Sequence, residues 1–346
     1  MTNENSVITL SGAPEGVDGD LLAKEFSSGS SIIHISRDDK RLAEIKEALY
    51  FFRSDLEILE FPAWDCLPYD RISPSVDVVS KRIFTLSELA KTIEKPTIVL
   101  TTVNAVTQRV PAIETIKKAV FDISAGLLIN VDKLIHYLNN MGFSKCSTVI
   151  EPGDYSLRGG IIDIFPPGQK NPVRLDLFGD TLEGIRVFDQ NTQLSKEKIS
   201  SVIINAASEV ILDERSIAKF RQNYRLEFGV PKSNDGIYEA VSSGIKSQGL
   251  EHWLPFYYEE LSTIFDYLPN AKVYLDENFN SLVEDRWNSI TDQYKNRTDA
   301  LQRKGDLGSV YMPIKPEKLY LNPNEIELCL KSKVHYQFLT VPNPVG

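Results

Sequence analysis

Phosphate chemistry is the first reaction the residues of this chain suggest, and two stretches bear on it. Val7-Ile8-Thr9-Leu10 leads into Ser11-Gly12-Ala13-Pro14-Glu15-Gly16-Val17-Asp18-Gly19-Asp20, a glycine-bearing loop placed where a nucleotide-binding strand passes into its helix. A working loop of that kind cradles phosphates with backbone N–H groups, reaches them with a lysine and holds magnesium with Ser or Thr. Gly12, Gly16 and Gly19 are present, but Gly-Lys-Ser/Thr is missing and Lys24 comes too late. Glu15, Asp18 and Asp20 place negative charge where phosphates would sit, and like charges there repel. The complementary feature is Asp276-Glu277 after Lys272-Val273-Tyr274-Leu275, which has the form of an acidic pair at a strand terminus that holds magnesium. Without a phosphate loop, the pair should not hydrolyse ATP. The expectation is a degenerate nucleotide site comprising Gly12, Gly16, Gly19, Asp276 and Glu277.

Other chemistries find less support. Cys66, Cys146 and Cys329 are far apart and odd in number, which fits neither a metal spacing nor a disulfide framework and implies a reducing, cytoplasmic setting. His34, His136, His252 and His335 are scattered as well, so no metal site and no catalytic residue is expected. Asp163 and Asp176 are paired carboxylates with no nucleophile or metal cluster beside them.

The stretch Glu151–Asp189 carries a different signal. In Val173-Arg174-Leu175-Asp176-Leu177-Phe178, strand alternation puts Val173, Leu175 and Leu177 on one face and Arg174, Asp176 and Phe178 on the other. The aliphatic face should be core, which leaves an aromatic ring beside an arginine on the polar face. Gly179-Asp180 turns the chain, and the return strand brings Arg186 near. Arginine and aromatic residues dominate binding hot spots. The same residues also fit a plain surface pair, with Arg174 and Asp176 contributing little and Phe178 packed under a loop. Gly159 and Gly160 serve backbone geometry.

The elements that must position these residues follow from periodicity. Ser31–Ile35, Leu56–Phe61 and Thr97–Thr102 read as strands, and Asp38–Phe52 and Asp77–Ile93 as amphipathic helices, an alternation that predicts a parallel sheet covered on both faces. After about Val120 the pattern changes to a helix over Leu127–Met141 and short strands up to about Asn205, an α+β block with an antiparallel sheet. Helical patterns return over Ile217–Phe228 and Asp235–Ser243. Lys272–Leu275 is a strand and Phe279–Leu301 a long helix. The fold class is α/β, interrupted by a small α+β domain, with boundaries expected at residues 1–119, 120–206, 207–320 and 321–346.

The 346 residues carry a formal net charge of −10, with 42% hydrophobic and 25% charged residues. That balance opposes a whole-surface grip on nucleic acid, although Lys81, Arg82 and Arg109 could form a local basic patch. The N-terminus lacks the pattern of a signal peptide, and no stretch reaches the length of a membrane span. Phe338-Leu339-Thr340-Val341-Pro342-Asn343-Pro344-Val345-Gly346 has no turn logic that closes a domain, which suggests a fragment of something longer.

Several phrases carry a specific resemblance: Phe61-Pro62-Ala63-Trp64-Asp65-Cys66-Leu67-Pro68-Tyr69-Asp70, Ser73-Pro74, Thr101–Val110, Gly249-Leu250-Glu251-His252-Trp253 and Phe265–Glu277. In this order they resemble the N-terminal, UvrB-like region of the bacterial transcription-repair coupling factors (Mfd). The excision-repair protein UvrB itself has a working phosphate loop, which is absent here. It also has a long aromatic hairpin that grips damaged DNA, and Ser73-Pro74-Ser75 leads too soon into a helix to leave room for one. The resemblance therefore implies a degenerate P-loop NTPase (helicase-like) domain whose inserted domain binds UvrA, rather than an ATP-dependent helicase or damage-gripping domain. It implies Arg158, Arg174, Asp176, Phe178 and Arg186 as the UvrA-binding residues. It implies no cofactor in this chain, ATP and magnesium belonging to motor domains elsewhere in the family protein. RNA polymerase and DNA would be engaged through domains outside this chain, no membrane is implied, and the tail beyond Leu321 would be a linker or the start of the next domain.

Overall fold

The computed structural model describes residues 8–11, 16–91, 95–231, 235–304 and 311–339. Gly12 and Glu15 lie outside the described residues. In chain order the first third gives β1 (Ile8–Ser11), α1 (Val17–Ser27), β2 (Ile32–Ser36), α2 (Asp39–Phe52), β3 (Ile58–Phe61), α3 (Val76–Ala90), β4 (Ile98–Thr102), α4 (Val103–Val106), β5 (Val110–Pro111) and α5 (Ile113–Lys118). The middle gives β6 (Phe121–Ser124), α6 (Val131–Asn140), β7 (Ser144–Lys145), β8 (Asp154–Arg158), β9 (Ile161–Ile164), β10 (Val173–Phe178), β11 (Thr181–Phe188), β12 (Ser195–Ile199) and β13 (Ser201–Ile204). The last part gives α7 (Glu214–Phe228), α8 (Gly236–Ser242), a 3₁₀ turn (Leu250–Phe256), β14 (Leu261–Ser262), α9 (Ile264–Tyr267), β15 (Lys272–Leu275), α10 (Phe279–Lys304), α11 (Pro316–Leu319), α12 (Pro323–Lys331) and β16 (His335–Leu339).

Six strands form a parallel sheet in the order β1-β16-β15-β2-β4-β3. All five residues of β2 and all five of β4 are buried, as expected of central parallel strands covered on both faces. Alternation sends Ile32, Ile98 and Leu100 to one face, where Leu22 and Ala23 of α1 and Leu42, Ile45 and Leu49 of α2 cover them. Ile33, Ile35 and Val99 point to the other face and meet Val79, Ile83 and Leu86 of α3 with Phe279 and Val283 of α10. Helix starts are set locally: Asp38 accepts from Arg41 N–H at 2.7 Å, and Ser75 caps α3 immediately after Pro74. The long helix from Phe279 appears as read from the sequence.

The tail departs from expectation. Instead of a linker or a new domain, residues beyond Leu321 supply α12 and β16, and β16 sits between β1 and β15 in the parallel sheet. Asn322 and Glu325 form a capping box with Pro323 in the first turn, and Ile326 and Leu330 enter the main core. Periodicity over so short a helix and strand is a weak signal, whereas their burial is a property of the assembled sheet.

The second sheet has the order β12-β11-β10-β9-β8-β7, antiparallel except for β7 with β8. β6 and β13, the strands that enter and leave this block, pair with each other. The core face of the sheet (Ile162, Ile164, Val173, Leu175 and Ile185) is continuous with the core under α3, so the block is packed onto the α/β unit. Gly168 fixes the contact, its N–H donating to Ser80 Oγ at 3.1 Å. A Cβ at Gly168 would lie 2.2 Å from the Phe84 ring.

At the centre of this junction lies a buried ion pair. Arg82 of α3 and Glu209, just beyond β13, are 0% and 1% exposed. Arg82 Nε and Nη2 donate to Glu209 Oε1 and Oε2 at 2.6 and 3.1 Å, and Nη1 donates to the Pro62 carbonyl at 2.8 Å. Trp64 Nε1 donates to Glu209 Oε1 at 3.0 Å, and the guanidinium lies 4.2 Å from the Phe61 ring centroid. Removing one partner of such a pair strands the other charge in the interior. Arg82→Met should therefore destabilise the protein by about 3–5 kcal/mol in urea denaturation, and Arg82→Met/Glu209→Gln should recover a large part of that loss.

Candidate functional site

The polar face of the antiparallel sheet is organised by register, because residues directly opposite in neighbouring strands point to the same side. One row runs Lys198, Arg186, Arg174, Asp163, Ser156 across β12 to β8. The next holds Gly184, Asp176, Ile161 and Arg158. Phe178 lies opposite Thr181 at the end of the β10–β11 hairpin. The residues expected on this face, Arg158, Arg174, Asp176, Phe178 and Arg186, are thus brought together on one side of one sheet.

They are not equally accessible. Phe178 is 77% exposed, while the side chains of Arg158 and Arg174 are 57% and 17% exposed. Arg174 makes a two-pronged pair with Asp163, Nε to Oδ1 at 2.7 Å and Nη2 to Oδ2 at 2.9 Å. Its guanidinium also stacks over Phe188 at 4.7 Å from the ring centroid. Hydrogen bonding to Asp163 raises the Arg174 pKa further above its ordinary value. Arg158 approaches the same carboxylate at 3.6 Å, and Arg186 makes a second two-pronged pair with Asp176 at 2.7 and 2.5 Å. The alternative reading of a surface pair between Arg174 and Asp176 gives way to Arg174–Asp163 and Arg186–Asp176. Asp163, 1% exposed, is the hub of this face, a role that its reading as one of two paired carboxylates does not disclose. Its signal was a lone carboxylate inside the apolar run Ile161-Ile162-Asp163-Ile164.

Tight turns deliver these side chains. Gly159 (φ 57°) and Gly179 (φ 59°) occupy the left-handed conformation in their two-residue hairpin loops. Gly160 is constrained by proximity, since a Cβ there would lie 2.5 Å from the Leu177 carbonyl oxygen, and its own carbonyl accepts from Leu177 N–H at 2.8 Å. These glycines shape the backbone, as expected.

Around the residues expected to form a degenerate nucleotide site, the described side chains pair with one another. Gly16 (φ 88°) precedes α1, and Gly19 packs so close to α2 that a Cβ would lie 2.6 Å from the Ala48 Cβ. Asp276, at the end of β15, accepts from Arg37 N–H at 3.0 Å and lies 3.5 Å from Arg41 Nε. Arg41 also donates to Asp18, so one guanidinium bridges the carboxylate of α1 and the carboxylate of the β15 terminus. Burial works against its charge, but the carboxylates of Asp18 and Asp276 outweigh that and raise the Arg41 pKa. His34, fully buried on β2 with Nε2 3.7 Å from Asp276, has its pKa lowered by burial despite that carboxylate. Lys24 is tied to Asp20 at 2.5 Å. Glu277 follows Asp276 at the strand end and is partly buried. Among the described residues, no group of three or more His, Cys, Asp or Glu could hold a metal ion.

The basic residues considered for DNA form no patch. Arg82 is buried on Glu209, Arg109 pairs with Glu325 at 2.6 Å and Lys81 with Asp77 at 2.8 Å. No helix among the described residues is long and apolar enough to cross a membrane.

Residues 121–210, the block bounded by β6 and the β13 exit, match the UvrB interaction domain family. An α/β unit carrying such a block is a UvrB-like module. The sequence is 31% identical over 96% of the chain to the transcription-repair-coupling factor of Haemophilus influenzae, of which it covers 28%. It is 32% identical over 87% of the chain to that of Rickettsia prowazekii and 28% identical over 89% to that of Escherichia coli, covering 26% of each. The chain belongs to the family of transcription-repair-coupling factors, where it corresponds to the N-terminal region, and it spans about a quarter of the length of these relatives.

The Asp18–Arg41–Asp276 arrangement makes a signed prediction. Arg41→Met leaves two buried carboxylates without their cation and should cost on the order of 3 kcal/mol at pH 7. Urea denaturation of the parent and of Arg41→Met at pH 7 checks this, and equal stability of the two would remove the bridging role from Arg41.

Proposed function

We propose that this chain is a non-catalytic docking module of transcription-coupled nucleotide excision repair. It binds UvrA through the polar face of its inserted sheet and, as part of a longer protein, brings UvrA to stalled transcription complexes. The observation that carries this reading is Phe178: a large aromatic ring, 77% exposed, held on a hairpin end and on the same sheet face as Arg158. An exposed rigid aromatic sharing a face with arginines is the composition of a protein-binding hot spot, and the match of residues 121–210 to a UvrB interaction domain supports UvrA as the partner. Residues 120–206 form the docking domain in this reading. Residues 1–119 and 207–320 are the two parts of a scaffold descended from a P-loop NTPase, here without ATP or magnesium. RNA polymerase and DNA are partners of other parts of the full-length protein, in the cytoplasm.

Arg41 supports the loss of nucleotide function, because its guanidinium already neutralises the carboxylates at the end of β15 and the start of α1. Within the docking face the roles divide. Arg158 and Phe178 touch the partner, while Arg174, mostly covered, stiffens the face through Asp163 and Phe188 and presents only its edge.

Titration of purified UvrA against the chain tests this. Phe178→Ala should weaken binding about thirtyfold, an effect on the order of 2 kcal/mol, with an unchanged thermal midpoint. Arg158→Ala should weaken it less. Arg174→Ala should lower both affinity and stability, because it strands Asp163. Wild-type affinity in all of these variants would refute the docking face.

A further inference from the structure

Leu128 lies outside every expected site residue, and its surroundings are unusual for an exposed leucine. It is 78% exposed, yet the backbone around it is held firmly. Gly126 N–H donates to the Leu182 carbonyl at 2.8 Å, Leu182 N–H to the Leu127 carbonyl at 3.0 Å, and Ile129 N–H to the Asp180 carbonyl at 2.7 Å. These bonds lay residues 126–129 along the outer side of β11, where Leu128 is the antiparallel partner of Thr181. Thr181 is in turn the partner of Phe178.

Directly opposed residues share a face. Leu128, Thr181 and Phe178 therefore form a third row on the docking side of the sheet, with Leu128 and Phe178 about 10 Å apart, two strand spacings. Between them stands only a small, exposed threonine. Ile161, 37% exposed, flanks Phe178 in the neighbouring row beside Arg158. Isolated exposed apolar residues are ordinary. Here three of them border one end of a face whose remainder carries Arg158, Arg174, Arg186 and Lys198 against Asp163 and Asp176.

We infer that Leu128 is a second apolar anchor of the docking surface, gripping the same partner as Phe178 across Thr181. The inference rests on the reading of this face as the UvrA site. The partner surface that fits is an apolar patch long enough to cover both side chains, with an acidic group placed to meet the exposed Arg158. The anchor comes from the segment before α6, so the footprint extends beyond the β10–β11 hairpin to the start of the inserted block. Because the Leu128 side chain is exposed while the backbone on either side of it is hydrogen-bonded, binding would bury it with little ordering cost.

The test titrates purified UvrA against the parent chain, Leu128→Ser, Leu128→Glu and Phe178→Ala, with thermal midpoints measured in parallel. Leu128→Ser should weaken binding roughly tenfold and Leu128→Glu more, both at the parent's midpoint. Loss of affinity in both Leu128 variants at that midpoint supports the anchor. Parent-like affinity in Leu128→Glu overturns it. If Phe178→Ala is weakened while Leu128→Glu is not, only Leu128 leaves the surface and the UvrA reading stands. If neither is weakened, or the parent chain does not bind UvrA, both fall.

Discussion

The junction between the two sheets depends on Arg82 and Glu209. Taking two charges into a region from which water is excluded is costly unless every polar atom finds a partner. Here the guanidinium is shared between Glu209, the Pro62 carbonyl and the Phe61 ring, while Trp64 donates to the same carboxylate. The Glu209 carbonyl accepts from Tyr258 Oη at 2.7 Å, and that hydroxyl accepts from Ile211 N–H at 3.0 Å. The helix α3, the loop after β3, the exit of the inserted block and the segment before β14 all meet at one side-chain pair. The fixed donors give the pair one geometry, and through it the inserted sheet is joined to the α/β unit.

Three of the ion-pair arrangements among the described residues have different consequences. Arg82–Glu209 fixes a junction. At Asp18–Arg41–Asp276 one guanidinium ties the start of α1 to the end of β15. On the polar face of the inserted sheet, Arg174–Asp163 and Arg186–Asp176 neutralise most of the central charge and leave Arg158 extending towards solvent. Two-pronged pairs hold their guanidinium planes in fixed orientations. The face is therefore rigid and only moderately charged, which suits a surface whose specificity comes from shape.

Much of this was legible in sequence because it is local. The parallel strands are continuous β-branched runs, the helices carry a 3.6-residue period, and the alternation in Val173–Phe178 separates core from surface. The pairing partners were not legible, because a carboxylate sees its arginine only after the register is set. Asp163 meets Arg174 across β9 and β10, and reading either strand alone cannot choose between Asp163 and Asp176. The β-bulge between Asp176 and Leu177 is hidden for the same reason. The last strand was missed because β16 is short and its burial comes from β1 and β15, which lie far away in the chain. Tyr69, in the phrase that carries the family resemblance, takes a left-handed backbone (φ 61°) and is 2% exposed, and its carbonyl accepts from Arg297 Nε at 2.8 Å. That phrase is a packing motif, which its aromatic and proline content does not by itself disclose.

On the proposed docking face, a covered and an exposed arginine differ in what they can offer a partner. Arg174 has spent its donors on Asp163 and its plane on Phe188. A partner carboxylate would have to compete with a buried, fully formed pair, and the exchange would gain little. Arg158 approaches Asp163 only at 3.6 Å and keeps most of its side chain in water, so it can turn to a partner without stranding anything inside. Phe178 needs no charge exchange at all. In the proposed complex, recognition on this face would therefore begin with apolar burial at the hairpin end, with Arg158 free to reorient and Arg174 fixed in the sheet surface.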